Sequence, residues 1–400
     1  MLLIYRIGSY IPTPGVNIHA VESIQKQFSG AGILGLLNLF NGGGLARLAI
    51  FALGIMPYIT SSIILQLMQV VIPSLEKLSK EGEVGQARIT QYTRYLTVCL
   101  AFVQSVVLVF IFHLQQTTAN VSVFNHFDVP DVFMVVVSLT AGAVLLMWIG
   151  ELITQRGVGN GISLLIFASI VARLPQLVET WWNSQDQAFK VLMPFLVLAV
   201  LAGVVYVLEG QRRIPIQYAK RVIGRRMSQG GQTYMPLRLN MAGVIPIIFA
   251  VAIMSIPATF GQFIHAPWAR SVSDFFTPNG WQYLVGQSIF IIIFSYFYTA
   301  VTFNPVDQAE NLKKYGGFIP GVRPGRPTAE FLDRILARLT FPGAIFLATI
   351  AALPTILIDQ THQQIPLGGT SILIVIGVAL ETMKQLEAQL MMRSYEGFLK

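Results

Sequence analysis

The hexapeptide GIMPYI occupies residues 54–59, and a hexapeptide of the same pattern, GVIPII, occupies residues 243–248. Both read Gly-apolar-apolar-Pro-x-Ile. A second pair recurs in the same order, with GISLLI at 161–166 and GTSILI at 369–374, each of the form Gly-x-Ser-apolar-apolar-Ile. Either match is weak by itself in a chain rich in Gly, Pro and Ile. Because both recur five apolar runs apart, they predict an internal duplication.

Apolar runs of membrane-spanning length fill the chain around these motifs. Of its 400 residues, 54% are hydrophobic and 12% are charged, which lies outside the range of soluble globular proteins. A bilayer core of roughly 30 Å needs about 20 apolar residues per helix. Such runs lie near 46–72, 95–114, 131–150, 162–180, 189–208, 241–264, 283–303, 340–358 and 367–383. We interpret the shorter stretch from Met1 to Tyr10 as the outer half of a tenth helix with a truncated beginning.

Ten spans and one duplication predict an all-α polytopic membrane protein built from two five-helix halves, 1–180 and 181–400, around a central pore. Because five is odd, the second half would enter the membrane from the opposite side, as in the inverted repeats of many transport proteins. Pro57 and Pro246 are expected to bend their spans beside the path between the halves. Close helix packing through Gly and Pro is the alternative explanation of these motifs.

Positive charge gathers on one side of the predicted membrane. Loops near 77–94, 209–239 and 304–339 carry most of the 27 Lys and Arg residues, so these loops are expected to face the cytoplasm. In the 209–239 loop, Glu209 is the lone acid among many basic residues. A surface of this kind would attract RNA phosphates or an acidic protein surface, with an affinity that falls as salt rises. Topological anchoring is the alternative role of these charges.

The repeated motifs offer aliphatic side chains to a path between the halves. Their isoleucines share a helix face or occupy matching repeat positions, and they are Ile55, Ile59, Ile162, Ile166, Ile248 and Ile374. A solute carrier or ion channel would need carboxylates, His or Arg at this depth. A ring of bulky aliphatic side chains favours a pore that excludes small ions by dewetting and yields to an extended polypeptide.

The sequence lacks the usual patterns of enzymes. It has no Gly-x-x-x-x-Gly-Lys phosphate loop, and its five histidines are scattered without metal-ligand spacing. We therefore expect no enzymatic activity, no metal and no cofactor, and any ATP that drives transport must be hydrolysed by another protein. Two alternatives from other classes are a secondary transporter, which an inverted repeat would suit equally well, and an intramembrane enzyme, which would need an activated nucleophile or acid pair.

Several segments, in order through the whole chain, resemble the SecY family of protein-translocation channel subunits. They are RIG (6–8), IPTPG (11–15), IFALGIMPYITSSIILQL (50–67), KEGE (80–83), QYTRY (91–95), RGVGNGIS (156–163), GQRRIPIQYAKR (210–221), NMAGVIP (240–246), FNP (303–305), GGFIPGVRPG (316–325) and GGTSILIV (368–375). No short segment is diagnostic, but the set is highly specific.

The resemblance implies a channel in the bacterial plasma membrane that passes unfolded secretory polypeptides and releases membrane helices sideways into lipid through a lateral gate. An external motor or the ribosome would drive transport. The implied partners are the small membrane subunits SecE and SecG, the SecA motor ATPase, the ribosome, polypeptides that bear signal sequences, and membrane lipid.

The resemblance also assigns roles to residues. It places the six isoleucines in a pore ring and makes residues 29–44 a short external plug, for which a re-entrant loop without special function is the alternative. The apolar plug residues are Ile33, Leu34, Leu36 and Leu37. The family's second and seventh spans line the lateral gate, where the polar candidates are Thr60, Gln66, Gln104 and Asn240, although such residues commonly just bond a neighbouring helix. Cytoplasmic partner docking is assigned to Arg212, Arg213, Lys220, Arg221, Arg225, Arg226 and Arg323.

Overall fold

The computed structural model describes residues 1–21, 23, 38, 41–119, 122–124, 127–183, 187–218, 222–223, 226–227, 232–260, 275–276, 280–361 and 369–398. The chain divides into two compact units. The first contains Met1–Gln185, Val251–Leu284 and Val378–Lys400, and the second contains Asp186–Ala250 and Val285–Gly377. The division into sequence halves at residue 180 remains a prediction.

Helices dominate the N-terminal part of the chain. They are α1 (Leu2–Gly8), a 3-10 turn (Leu45–Arg47), α2 (Met56–Val71), α3 (Pro73–Lys80), α4 (Glu83–Ala119), α5 (Val129–Arg156), α6 (Gly161–Val171), α7 (Leu174–Trp182) and α8 (Gln187–Glu209).

The C-terminal part combines helices with short strands. Its elements are β1 (Gln211–Tyr218), β2 (Val222–Ile223), β3 (Arg226–Met227), β4 (Gln232–Arg238), α9 (Ile245–Phe260), α10 (Trp281–Thr302), α11 (Pro305–Lys314), β5 (Gly317–Phe318), α12 (Arg326–Thr361) and α13 (Gly369–Phe398).

The described helices account for the predicted membrane spans. Six of them, α4, α5, α8, α10, α12 and α13, are long and apolar enough to cross a bilayer. The pair α2 and α3 forms a further candidate that is bent by 102°, and α6 and α9 are shorter apolar helices. With the seven-residue α1, each apolar stretch expected to lie in the membrane contains one of these helices. The mostly helical, multi-pass fold is therefore confirmed.

The two copies of the Gly-apolar-apolar-Pro motif adopt the same local backbone. Gly54 has a φ of 58° and Gly243 a φ of 63°, in the left-handed region that favours glycine. Two residues after each glycine a helix begins, α2 at Met56 and α9 at Ile245. The first ten residues of the 46–72 run are therefore not part of an α-helix: they hold the end of the 3-10 turn, an isolated β-bridge from Ala49 to Pro12, and further turns. The matching backbones support the duplication that the sequence predicts.

The expectation that Pro57 and Pro246 bend their spans is wrong. Each is the second residue of its helix, where the N–H that proline lacks would have no partner within the helix. The sharp bend lies instead between α2 and α3. There Ile72, with φ −100° and ψ 111°, is extended, as expected of a residue that precedes a proline, here Pro73.

The 162–180 run is also interrupted. Helix α6 ends at Val171, and α7 begins at Leu174 with Pro175 in its first turn. Proline favours the first turn of a helix, and the two residues between the helices are Ala172 and Arg173, so the apolar run forms two helices that meet just before Pro175.

A small antiparallel sheet in the second unit replaces two predicted loops. Strand β1 pairs with β4, with Ile214 opposite Met235, and its other edge pairs with β5, with Gln217 opposite Phe318. Ile214 and Ile216 alternate with exposed residues, as expected of a strand with one buried face. That face packs in an apolar cluster of Ile214, Leu237, Phe303, Ile319, Leu332, Ile335 and Leu336.

The apolar core of the first unit lies between α4, α5 and the turns that precede α2. Leu48, Val109 and Leu139 are fully buried there. A Cβ at Gly142 of α5 would lie 2.0 Å from the carbonyl oxygen of Ile50. Helix α5 therefore approaches the backbone of the turn segment as closely as a glycine allows.

Candidate functional site

The first pair of predicted ring residues lies at the start of α2. The N–H of Ile59 donates to the carbonyl oxygen of Ile55 at 3.1 Å, so the two side chains lie one helical turn apart, as their spacing predicts. Both are buried. The left-handed turn at Gly54 and the helix start at Met56 set where they lie.

The second pair lies in the first two turns of α6. The side-chain oxygen of Asn160 caps this helix by accepting from the backbone N–H of Ile162 at 3.0 Å. Ile166 is buried and Ile162 is half-buried. Ile162 and Ile55 both lie against Gly150 of α5, because the Cγ1 of Ile162 and the Cδ1 of Ile55 lie 3.6 and 3.7 Å from the position of a Cβ at Gly150.

The remaining ring candidates belong to the second unit. Ile248 lies in the first turn of α9 and Ile374 in the second turn of α13, and both are buried. A Cβ at Gly377 would lie 1.9 Å from the Cγ2 of Val244, the residue that accepts the first hydrogen bonds of α9. The two elements that carry Ile248 and Ile374 therefore pack tightly at this point.

The predicted plug residues Ile33, Leu34, Leu36 and Leu37 lie outside the described residues. The C-terminal end of the predicted plug is described, and it is held by side chains. Asn41 Nδ2 donates to the carbonyl oxygen of Ala52 at 2.6 Å, and Arg6 Nη1 donates to that of Gly42 at 2.9 Å. This end of the segment is thus bonded to α1 and to the turns before α2.

Three of the polar gate candidates make hydrogen bonds to residues three or four positions away in the sequence. The Thr60 hydroxyl donates to Met56 O at 2.9 Å within α2, and Asn240 Nδ2 donates to Gly243 O at 2.8 Å in the turn before α9. Gln66 Nε2 donates to the Ser62 hydroxyl at 3.2 Å, while its buried Oε1 meets no hydrogen-bond partner among the described residues. Gln104 lies on α4 and is half-buried.

The two predicted docking loops are parts of one sheet. Arg212 and Arg213 are exposed on β1, and Arg323 is exposed in the loop that follows β5. That loop is braced by the Thr328 hydroxyl, which donates to the carbonyl oxygen of Arg323 at 2.8 Å. Arg226 begins β3, whereas Lys220, Arg221 and Arg225 lie outside the described residues. The sequence predicts loops where this sheet lies, although the alternation of Ile214 and Ile216 with polar residues is the signal of a strand with one buried face.

An ion pair in the first unit was also missed. Arg94 of α4 makes two hydrogen bonds to Glu151 of α5, from Nε to Oε1 at 2.9 Å and from Nη2 to Oε2 at 2.7 Å. The sequence places Arg94 at the end of the basic 77–94 segment, which is predicted to be a loop. Its partner lies 57 residues away, and no local pattern indicates such a pair.

Metal binding finds no support in the part of the chain that the structure describes. Within it, no group of three or more His, Cys, Asp or Glu side chains could hold a metal ion. The described site is therefore apolar at the isoleucines and basic at the sheet.

Sequence comparison places these features in a known family. The SecY family model matches residues 49–383. The chain is 48% identical over 422 residues to the protein translocase subunit SecY of Corynebacterium glutamicum and 49% identical over 423 residues to that of Streptomyces scabiei. Each alignment covers 100% of this chain and 95% of the relative.

Solved structures share the fold at low sequence identity. A protein-conducting channel matches with a TM-score of 0.66 at 18% identity, over 97% of this chain and 90% of that one. Sec61 from a canine ribosome-channel complex matches with a TM-score of 0.61 at 17% identity, over the same shares. SecY is a family of translocation channel subunits and not of enzymes. By its family match and its full-length relatives, this multi-pass membrane protein belongs to the SecY family.

Proposed function

We propose that the chain forms the pore of a protein-conducting channel in the bacterial plasma membrane. It passes unfolded secretory polypeptides across the membrane and releases membrane helices sideways into lipid through a lateral gate. SecE and SecG would accompany it as small membrane subunits. SecA or the ribosome would drive transport from the cytoplasmic side.

The observation that carries this proposal is the pair of matched turns that present buried isoleucines. Gly54 and Gly243 start the same turn, and an isoleucine follows each at the same distance, Ile59 and Ile248. A narrow aliphatic constriction excludes water and ions without binding any particular solute. That property suits a path for polypeptides of varied sequence, and the six isoleucines would form its seal.

Three further assignments belong to the same proposal. Residues 29–44 would close the external side as a plug, and the described end of this segment is bonded to α1 through Arg6 and Gly42. The second and seventh spans, which contain α2 and α9, would border the lateral gate, with Thr60, Gln66, Gln104 and Asn240 as its polar candidates. The exposed arginines of the sheet would bind the acidic or RNA surfaces of cytoplasmic partners.

The seal is tested by replacing Ile59, Ile166, Ile248 and Ile374 together with serine. The resting channel, reconstituted in planar bilayers with its small subunits, is expected to conduct ions because a polar constriction admits water. The matched control replaces the same four residues with leucine, which keeps the pore apolar and should leave the channel closed. Unchanged conductance in the serine variant would remove these residues from the seal.

A further inference from the structure

A short segment of α5, residues 150–154, contacts three other helices of the first unit. Gly150 lies against Ile55 at the start of α2 and against Ile162 and Leu165 of α6. Glu151 bonds to α4, and Thr154 bonds to the N-terminus of α6. We call residues 150–154 the α5 bracket.

The ion pair of the bracket has the geometry of a strong contact. Both oxygens of Glu151 accept from one guanidinium, and such bidentate pairs are stronger and more directional than single hydrogen bonds. The Glu151 side chain is 12% exposed and that of Arg94 is 45% exposed, so solvent screens this pair less than an open surface pair.

The glycines of the bracket region bring backbones into contact. A Cβ at Gly161 would lie 2.0 Å from the carbonyl oxygen of Gly150, so α6 begins directly against α5. The hydroxyl of Thr154 donates to the same carbonyl oxygen at 2.9 Å and accepts from the N–H of Gly161 at 2.9 Å. The N-terminus of α6, which carries Ile162, is thereby fixed to α5.

We propose that the α5 bracket positions Ile55 and Ile162 and so sets the bore of the seal on this side. Gly150, Glu151 and Thr154 are positioning residues, because they act through the isoleucines and not on the translocating chain. This inference rests on the proposed function, in which those isoleucines form the seal.

The physical reason is the small tolerance of a hydrophobic seal. Packed side chains move in discrete steps and not continuously, so a shift of α5 relative to α2 and α6 would reposition both isoleucines together. An apolar constriction gates by dewetting, so one that is wide enough to hold a continuous column of water no longer excludes ions. The bracket therefore keeps the two isoleucines in a fixed relation during gating.

The ion pair is tested by Glu151→Ala and by the exchange R94E/E151R, with conductance of the resting channel measured in planar bilayers. Glu151→Ala is expected to raise the conductance several-fold, and the exchange is expected to restore much of the closed state. The matched control is Glu76→Gln, which breaks the exposed pair between Glu76 and Lys80 of α3 and should leave the channel closed. Equal conductance in Glu151→Ala and wild type would overturn the role of the pair.

A second pair of variants keeps the charges and changes only shape. At Gly150 the Cβ of alanine would meet Leu165, Ile162 and Ile55 at 3.4 to 3.7 Å, which is ordinary contact. The added methyl groups of valine would push these side chains away. The Gly150→Val channel is therefore expected to conduct more ions at rest than the Gly150→Ala channel. The comparison requires that the two variants have the same Tm, and equal resting conductance would overturn the inference.

The outcomes separate the two levels of the proposal. If the serine variant of the four isoleucines conducts ions at rest and the bracket variants do not, the role of the bracket is refuted and the seal stands. If the serine variant does not conduct ions at rest, the seal itself is refuted, whatever the conductance of the bracket variants.

Discussion

At the scale of single residues, two glycines define where the functional helices begin. Gly54 and Gly243 share a left-handed backbone, but their surroundings differ. A Cβ at Gly54 would lie 2.1 Å from the side-chain oxygen of Asn41, whereas a Cβ at Gly243 would meet no atom within 4 Å among the described residues. The first glycine is thus required for its conformation and for space, and the second for conformation alone.

Alanine substitution at the two glycines should therefore have unequal effects. Each alanine forces a left-handed conformation that costs about 1 to 2 kcal/mol. Gly54→Ala must also displace Asn41, so it should lower the apparent Tm of the detergent-solubilised protein more than Gly243→Ala does. Thermal unfolding at one scan rate, followed by circular dichroism, measures this. Equal Tm losses would mean that Asn41 moves aside at little cost.

At the scale of elements, the sheet of β4, β1 and β5 joins two loops that are far apart in sequence and that are both predicted to face the cytoplasm. Its arginines lie on its exposed parts, while Ile214 and Leu237 anchor it in an apolar cluster. A partner that binds one of these loops would therefore also lie close to the other, because both loops contribute strands to the same sheet.

Charge reversal at either loop should weaken the same partners. Arg213→Glu and Arg323→Glu are each expected to lower the affinity of SecA and of the ribosome, and to reduce the steepness with which that affinity falls with salt. The side chains are exposed, so the Tm should stay near wild type. Binding titrations at several salt concentrations measure both quantities. Arg213→Lys and Arg323→Lys serve as charge-preserving controls. Wild-type affinity in both reversal variants would mean that these arginines act only as signals that orient the chain in the membrane.

At the scale of the whole molecule, the duplication assigns α2 and α9 to matching positions in the two sequence halves. An inverted repeat used for transport opens between its halves and not at a loop. Neither span bends at Pro57 or Pro246, because both prolines lie in first turns. In the proposed gate, opening would therefore use movement of whole helices.

Bridging the two sides of the proposed gate tests this movement. Cysteines replace Gln66 and Asn240 after the exposed Cys99 is changed to serine, and bifunctional thiol reagents of graded length join them. Short bridges are expected to block the release of signal-bearing chains into lipid, and a reducible bridge should restore release on reduction. Each single-cysteine variant is the control. Release that continues through a fully bridged channel would place the gate elsewhere.

The sequence alone determined the membrane class, the number and order of spans, the duplication and the isoleucines that lie one turn apart, because apolar run length and helical spacing are local properties. Only the structure decided that Pro57 lies in the first turn of its helix, that two basic loops share one sheet, and that Arg94 bonds to Glu151. The sheet and the ion pair depend on contacts between residues far apart in the chain, such as Gln217 with Phe318. Hydrophobic patterning specifies which face of an element is buried but not which element covers it, so these partners emerge only when the chain is folded.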